Sequence, residues 1–382
     1  MPIYDLAEFF SLSRALYYSL SATLEGPTYI LQYITAKKSL TSEEETRLLR
    51  DALVYLISAY SDKFRQLGPP AVLHPLRATA LLSRTLDRPN LLDLLTQMFH
   101  DVLEDISPID FEFEKWRLIE SQLSNLLENL PSQDQTELGD RLVKLTRTEG
   151  ESYFHYIARL LATSERTSIL VRAKLADRLD NTLDMRIDLQ DSQEPQEFFE
   201  RVFNLVFVNT YRHETTLAAD HPPRAPMNGA WRLYELFKNL VLLSLIRQEK
   251  ADAGDPAAGQ LFQAVTTASL REAQRIFQHV LDYHGQEVRR PRQALLETME
   301  YCYGGGTDQI TRPNLKNALD GFFASYFNET TRKAREQRLN ALYKDKTLMF
   351  RAAVAFTVIY QNFLIDPDYY VHGISPDGIH PL

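Results

Sequence analysis

The sequence predicts an all-α fold, and two observations predict it. Apolar residues recur at helical rather than alternating spacing through most of the chain. Few windows show the period-two alternation of strands. The clearest helix is Asn90 to Leu103 (NLLDLLTQMFHDVL), with apolar residues at 91, 92, 94, 95, 98, 99, 102 and 103. That is a wide stripe at a 3.6-residue period. Asn90 follows Pro89 and is its expected N-cap. Asp51 to Tyr60, Leu76 to Leu86, Ser168 to Met185, Phe198 to Thr210, Ala230 to Ile246 and Leu348 to Phe363 follow the same pattern.

Three stretches interrupt it. Asp188 to Glu197 is polar with one proline, Ala218 to Gly229 holds three prolines, and Tyr303 to Pro313 carries a glycine triplet. The second reads as a domain boundary and the first as a hinge. The expected division is a helical bundle over 1–197 and a further helical region over 198–382. No fixed-period repeat suggests a solenoid.

Composition narrows the function classes. With 44% hydrophobic and 24% charged residues the chain is ordinary globular material. Lys plus Arg number 42 against 51 Asp plus Glu, a net charge of −9. This balance argues against general nucleic-acid binding, which draws on a positive surface. It leaves room for a small phosphate ligand held by a metal and local cations. The single cysteine, Cys302, excludes an internal disulfide and a Cys-rich zinc site, and fits a reducing, cytoplasmic compartment. The first residues carry Asp5 and Glu8 and no basic run before an apolar one, unlike a signal peptide. Met349 to Leu364 is interrupted by Arg351 and Gln361, so no membrane span is expected.

Three short segments carry chemistry. RQLGPPAVLHPLRATALL, from Arg65, contains His74-Pro75; FHDVLED contains His100, Asp101, Glu104 and Asp105; VRAKLADRLDN contains Asp177 and Asn181. On one continuous helix His100 would stack with Glu104 and Asp101 with Asp105. Asp177 and Asn181 are again four apart. An imidazole and three carboxylates inside an apolar helix are costly to bury without a compensating cation. Two imidazoles and two carboxylates form a mixed N/O donor set that suits Mn, Fe or Zn. Such a metal acts as a Lewis acid, and leftover carboxylates can move protons or order a water. Taken singly, each segment also reads as a structural histidine or a solvated helix face.

The order His, His-Asp, Asp resembles the HD superfamily of metal-dependent phosphohydrolases. The finer pattern is similar to the hydrolase domain of RelA/SpoT-type alarmone enzymes and their small stand-alone relatives. Arg65, Gly68, Pro70, His74 and Pro75 fit the first family segment; His100, Asp101, Glu104 and Asp105 the second; Lys174 through Asn181 the last. Leu145 to Ile157 also resembles a segment of the stand-alone relatives, and the likeness covers about 50 to 186. It implies an HD-type helical bundle in 1–197 with His74, His100, Asp101 and Asp177 ligating one Mn²⁺, with Fe, Zn or Mg open. It implies that Glu104 and Asp105 position and deprotonate the attacking water. Asn181 would support the site or touch substrate, and Arg65 would meet phosphates. The implied reaction removes the 3′-pyrophosphate of guanosine tetra- or pentaphosphate. Hydrolysis of another nucleotide or phosphodiester, and a nucleotide-sensing role, are the alternatives.

Three positions depart from the family pattern: Ala71 follows Pro70 where a tyrosine is usual, Tyr60 to Phe64 lacks the family residues before Arg65, and Asp180 replaces a histidine. These changes are expected nearer the nucleoside end than the metal end.

Lys144, Arg147, Arg172, Lys174 and Arg178 are candidates for a phosphate-binding rim, Lys174 and Arg147 foremost, with solvated helix charge as the competing reading. Tyr153 and Tyr156 read as packing residues. His155, His213, His221, His279, His284, His372 and His380 lack metal-like spacing. The triplet at 304–306 lacks a P-loop ending and reads as a turn. Cys302 has no evident catalytic partner. The basic run Arg289 to Arg292 reads as a solvated loop or helix start. The region after 198 has no interpretable motif; capping the site, self-association or a protein partner are its expected roles.

Overall fold

The computed structural model describes residues 6–22, 26–65, 69–151, 153–163, 169–185, 229–310 and 344–366, with shorter pieces at 316–322, 331, 333–334, 337, 341–342, 374–375 and 378–379. The expected helix Phe198 to Thr210, the polar stretch 188–197 and Gly68 lie outside the described residues, as do nearly all of 218–229, His213, His221, His372 and His380.

The fold is all-α. The helices are α1 (Leu6–Ser21), α2 (Gly26–Ile34), α3 (Glu43–Ala59), α4 (Leu73–Thr85), α5 (Leu91–Met98), α6 (Val102–Asp105), α7 (Phe113–Glu128), α8 (Ser132–Leu145), α9 (Tyr153–Ala162), α10 (Ile169–Asp184), α11 (Gly229–Glu249), α12 (Pro256–Gly285), α13 (Pro291–Tyr303) and α14 (Lys346–Ile365). One two-residue antiparallel pairing joins Ile374–Ser375 to Gly378–Ile379.

Local chemistry sets several helix ends. Ser42 caps α3 by accepting from Glu45 N at 3.1 Å. Glu43, Glu44 and Glu45 then place negative charge at its positive end. Asn90 caps α5, its side chain accepting from Asp93 N at 2.7 Å. Pro291 starts α13, where a missing N–H has no intrahelical role. The glycine triplet ends that helix: Gly305, at φ +89°, takes the left-handed conformation that favours glycine, and a 3-10 turn follows.

Two large apolar clusters fill the interior, beside a small one of Val288, Ala294, Phe350 and Val354. One joins α1, α2, α3, α4, α5, α7 and α8 around Leu16, Ile30, Leu49, Leu53, Leu56, Leu76, Leu94 and Met98. The other joins α9, α10, α11, α12 and α14 around Leu160, Leu175, Leu179, Val241, Leu261, Ile276 and Phe356. Helix α10 lies between them, packed on α4 on one side and on α12 on another. It is buried almost all round, its polar residues Asp177, Arg178, Asp180 and Thr182 included. This helix therefore brings polar groups into the interior, where each needs a partner.

Among the described residues α14 is the one helix long and apolar enough to cross a membrane by length and composition. Most of its surface is buried within the protein, against α11, α12 and α13. Phe356 and Tyr360 pack against Phe237 and Phe277 at ring-centroid distances of 5.2–5.8 Å. Asp345 caps its start. Arg247 donates to Phe363 O and Leu364 O at its end, both at 2.6 Å.

Candidate metal centre

Four side chains from three segments meet at one point. His74 lies in the first turn of α4, His100 and Asp101 in the turn between α5 and α6, and Asp177 within α10. Each offers one donor atom, and the four atoms lie within 4.8 Å of one another. His74 Nε2 is 3.2 Å from His100 Nε2, 3.1 Å from Asp101 Oδ2 and 3.3 Å from Asp177 Oδ1. His100 Nε2 is 3.2 Å from Asp101 Oδ2. Pro75 is tolerated because its missing N–H falls in the first turn.

The expected continuous helix 90–103 is broken. α5 stops at Met98, Phe99 to Asp101 form a turn, and a single helical turn follows from Val102. Consecutive residues on a helix diverge by about 100° and do not face each other. The turn holds His100 Nε2 and Asp101 Oδ2 3.2 Å apart, and the helix expected through 90–103 is interrupted there.

Hydrogen bonds set both imidazole rings. His74 Nδ1 lies 2.6 Å from Asp180 Oδ2, and His100 Nδ1 lies 2.7 Å from Gln97 O. With each Nδ1–H donated outward, each Nε2 lone pair faces the shared point. Asp180 also accepts from Arg77 Nε at 2.7 Å and Nη2 at 3.0 Å. Arg77 reaches Asp184 at 3.1 Å, and Arg65 Nε reaches the same carboxylate at 3.2 Å. Arg65 Nη2 donates to Asn181 Oδ1, and Asn181 Nδ2 donates to Asp177 Oδ1, both at 2.5 Å. This circuit leads from one ligand position, His74, back to another, Asp177.

Sequence reasoning missed Arg77 and Asp184. The available signal was spacing: Arg77 is three residues after His74, and Asp184 is four after Asp180 and seven after Asp177. Two of the departures from the family pattern also prove to lie at the metal end, contrary to expectation. Asp180 holds His74, and Tyr60 donates to Asp105 Oδ2 at 2.9 Å. The reason is helical geometry: Asp180 is one turn from Asp177, so it faces the same neighbours on α4.

The other expected site residues fall into two groups. Glu104 and Asp105 are close by, with Glu104 Oε1 accepting from Arg147 N at 2.7 Å. Lys174 Nζ pairs with Asp177 Oδ2 at 2.7 Å. Arg147 meets the site through its backbone, while its Nε donates to Glu151 O at 3.0 Å. Arg178 turns away into a second network, donating to Asn239 Oδ1 at 2.7 Å and pairing with Glu235 at 2.7 Å. Arg172 pairs with Asp255. Tyr153 and Tyr156 are buried, as expected, and His155 is exposed.

The electrostatics show what the cluster needs. Burial and Arg65 press the His74 pKa down, but hydrogen bonds to Asp101, Asp177 and Asp180 hold it well above the ordinary value. Burial opposes protonation of His100 too; the Asp101 charge and hydrogen bonds to Asp101 and Asp177 outweigh it and raise the pKa to about 9. Glu104 is pushed up to about 7, chiefly by burial and then by the Asp101 charge. Asp101 and Asp177 thus draw positive charge onto both rings, and Asp180 adds to it at His74. A divalent cation meets the same demand with neutral imidazoles, two negative ligands and four N/O donors. The residues present therefore fit a divalent metal.

No protein-family model matches the chain, and neither curated proteins nor solved structures give a significant match.

Proposed function

We propose that the chain is a metal-dependent phosphohydrolase of the HD type. Within that class, we read its reaction as removal of the 3′-pyrophosphate from a (p)ppGpp-like alarmone nucleotide. The observation that carries the reading is the convergence of His74, His100, Asp101 and Asp177 within 4.8 Å, at the positions the motif resemblance implies. A divalent ion held by these four residues, Mn²⁺ in this proposal, would supply Lewis acidity and lower the pKa of a bound water. Glu104, whose carboxyl is pushed up to about 7 by burial and the Asp101 charge in the metal-free protein, is placed to take a proton. Asp105, oriented by Tyr60, holds a second acceptor beside it. Asn181 links Asp177 to Arg65 and keeps the ligand carboxylate in place.

The direct test is product analysis after incubating the protein with guanosine tetraphosphate and Mn²⁺, with Asp101→Ala alongside. The expected result is stoichiometric GDP and pyrophosphate from the wild type alone. Turnover of a different phosphorylated nucleotide would keep the class and replace the substrate. Tight alarmone binding without turnover would replace hydrolysis by sensing.

A further inference from the structure

Arg77, one turn after His74 on α4, is 1% exposed and carries a charge into the interior. Its guanidinium is engaged along every edge. Nε donates to Asp180 Oδ1 at 2.7 Å and Nη2 to Asp180 Oδ2 at 3.0 Å. Nη1 pairs with Asp184 Oδ1 and donates to Ser13 Oγ of α1, both at 3.1 Å. The centroid of the Phe9 ring, also on α1, lies 4.9 Å from the guanidinium carbon. Helices α1 and α10 thus fix its orientation from two sides.

That orientation is passed on to a metal ligand. The two-pronged grip sets the plane of the Asp180 carboxylate. Its Oδ2 then lies 2.6 Å from His74 Nδ1. A carboxylate oxygen accepts, so the ring holds its proton on Nδ1 and turns the Nε2 lone pair toward Asp101 and Asp177. His100 receives the same service from a backbone carbonyl, Gln97 O. A carbonyl in a helix is fixed by the backbone, whereas a carboxylate rotates about its last torsion unless another group holds it. Asp180 stands where the resembled family has a histidine, and Arg77 is the group that holds it. Charge does not account for the arrangement: Arg65 also meets these carboxylates, Asp184 at 3.2 Å and Asp180 at 4.0 Å. Two guanidinium groups therefore face two carboxylates before His74 is counted.

We propose that Arg77 is a positioning residue of the metal centre. It acts through Asp180 to aim the His74 ring at the metal, and Ser13 and Phe9 of α1 hold it in place. The inference rests on the metal-centre reading and is tested by metal binding without substrate.

The experiment is chelator competition for Mn²⁺ on the full chain, comparing wild type with Arg77→Lys, Asp180→Asn and the double variant. Lysine keeps the charge and loses the planar fork. Arg77→Lys should weaken Mn²⁺ binding about tenfold, the lower end of what loss of an outer partner costs. In the double variant the loss should match that of Asp180→Asn alone, because Arg77 then has no carboxylate to orient. Protein loaded with diamagnetic Zn²⁺ adds a proton NMR readout. The His74 Nδ1–H signal should broaden or vanish in Arg77→Lys, while that of His100 stays. Unchanged Mn²⁺ affinity in Arg77→Lys would overturn the role. Losses that multiply in the double variant, or equal broadening of both histidine signals, would also overturn it and make Arg77 a support of the fold. Should Arg77→Lys fail to fold, Ser13→Ala, which removes a single oxygen, takes its place. About a two- to threefold loss with the same selective broadening is then expected, and no change in either readout would overturn the role. A wild type that binds neither Mn²⁺ nor Zn²⁺ would remove the metal centre and this role together. Arg77-dependent metal binding without turnover of any nucleotide would sink the hydrolase reading and support the positioning role.

Discussion

Helix α10 carries two buried polar clusters on different faces, and they are built on opposite electrostatic plans. Toward α4 it presents Asp177 to two imidazoles and a second carboxylate, donor atoms crowded within 4.8 Å. With neutral rings that group carries two negative charges and no cation among its four members. Toward α11 and α12 it presents Arg178, matched by Glu235 at 2.7 Å and by Asn239, which in turn bonds Thr182 and Ser269 at 2.6 and 2.8 Å. That group is well hydrogen-bonded, and Lys238 also pairs with Glu235, at 2.8 Å. The first arrangement asks for something from outside, and the second is complete. A buried polar cluster points to a ligand through what it lacks, rather than through burial or charge alone.

Changes on the metal face should therefore alter function and spare folding, and changes on the Arg178 face should do the opposite. The largest expected effect is Glu104→Gln, with turnover falling about 10²- to 10⁴-fold while Mn²⁺ affinity stays within a few-fold. Steady-state rates with a parallel metal titration check this, and full activity would remove Glu104 from the mechanism. Next is Arg178→Ala, which leaves Glu235 buried without its guanidinium. Urea denaturation should show a loss of about 3–5 kcal/mol, with Mn²⁺ still bound by the folded fraction. A variant that kept its stability but lost metal would erase the contrast between the faces.

Asp180→Asn is a smaller and more pointed change. It keeps the shape beside His74 Nδ1 but removes the charge that orients the ring. Chelator competition should find Mn²⁺ bound about 10- to 100-fold more weakly, and unchanged affinity would reduce Asp180 to packing. The mildest prediction concerns pH. In metal-free protein the His100 pKa is raised to about 9 and that of His74 is also raised. Their stabilisation is complete below the ordinary histidine value of 6.5 and is lost as pH rises through about 9. The melting temperature with chelator present should fall across that window, and metal affinity should climb, because both rings must shed protons to ligate. On the other face, burial raises the Glu235 pKa but Lys238 and Arg178 outweigh it, holding the pKa at about 2. That group adds no slope there. A flat melting profile would mean that the cluster is not protonated as its geometry implies.

Much of the metal face is legible in the sequence itself. His74, His100, Asp101 and Asp177 stand out because their chemistry is anomalous within apolar helical stretches, and they occur in the order of the motif they resemble. Gln97 is not legible there, and Arg77 and Asp184 show only as spacing from His74, Asp177 and Asp180, since each looks like an ordinary residue of an amphipathic helix. Their roles come from the partners that packing supplies, such as Asp180 for Arg77, 103 positions away. Glu235 and Lys238 are further from view, in a region where no motif signals their meeting with α10.

Helical periodicity, capping residues such as Asn90 and the scarcity of strand patterns determined the all-α class, because those are short-range properties of the chain. The types of residue available for ligation were set there too. Tertiary structure alone decided that the helix breaks at Phe99, where neighbouring residues converge on one point. It also decided that α10 is buried on all sides, and that one of its polar faces is met by opposite charge while the other is left short of positive charge. Those outcomes depend on which distant carboxylates, amides and guanidinium groups packing brings within hydrogen-bond reach, and helical period and spacing carry no record of that.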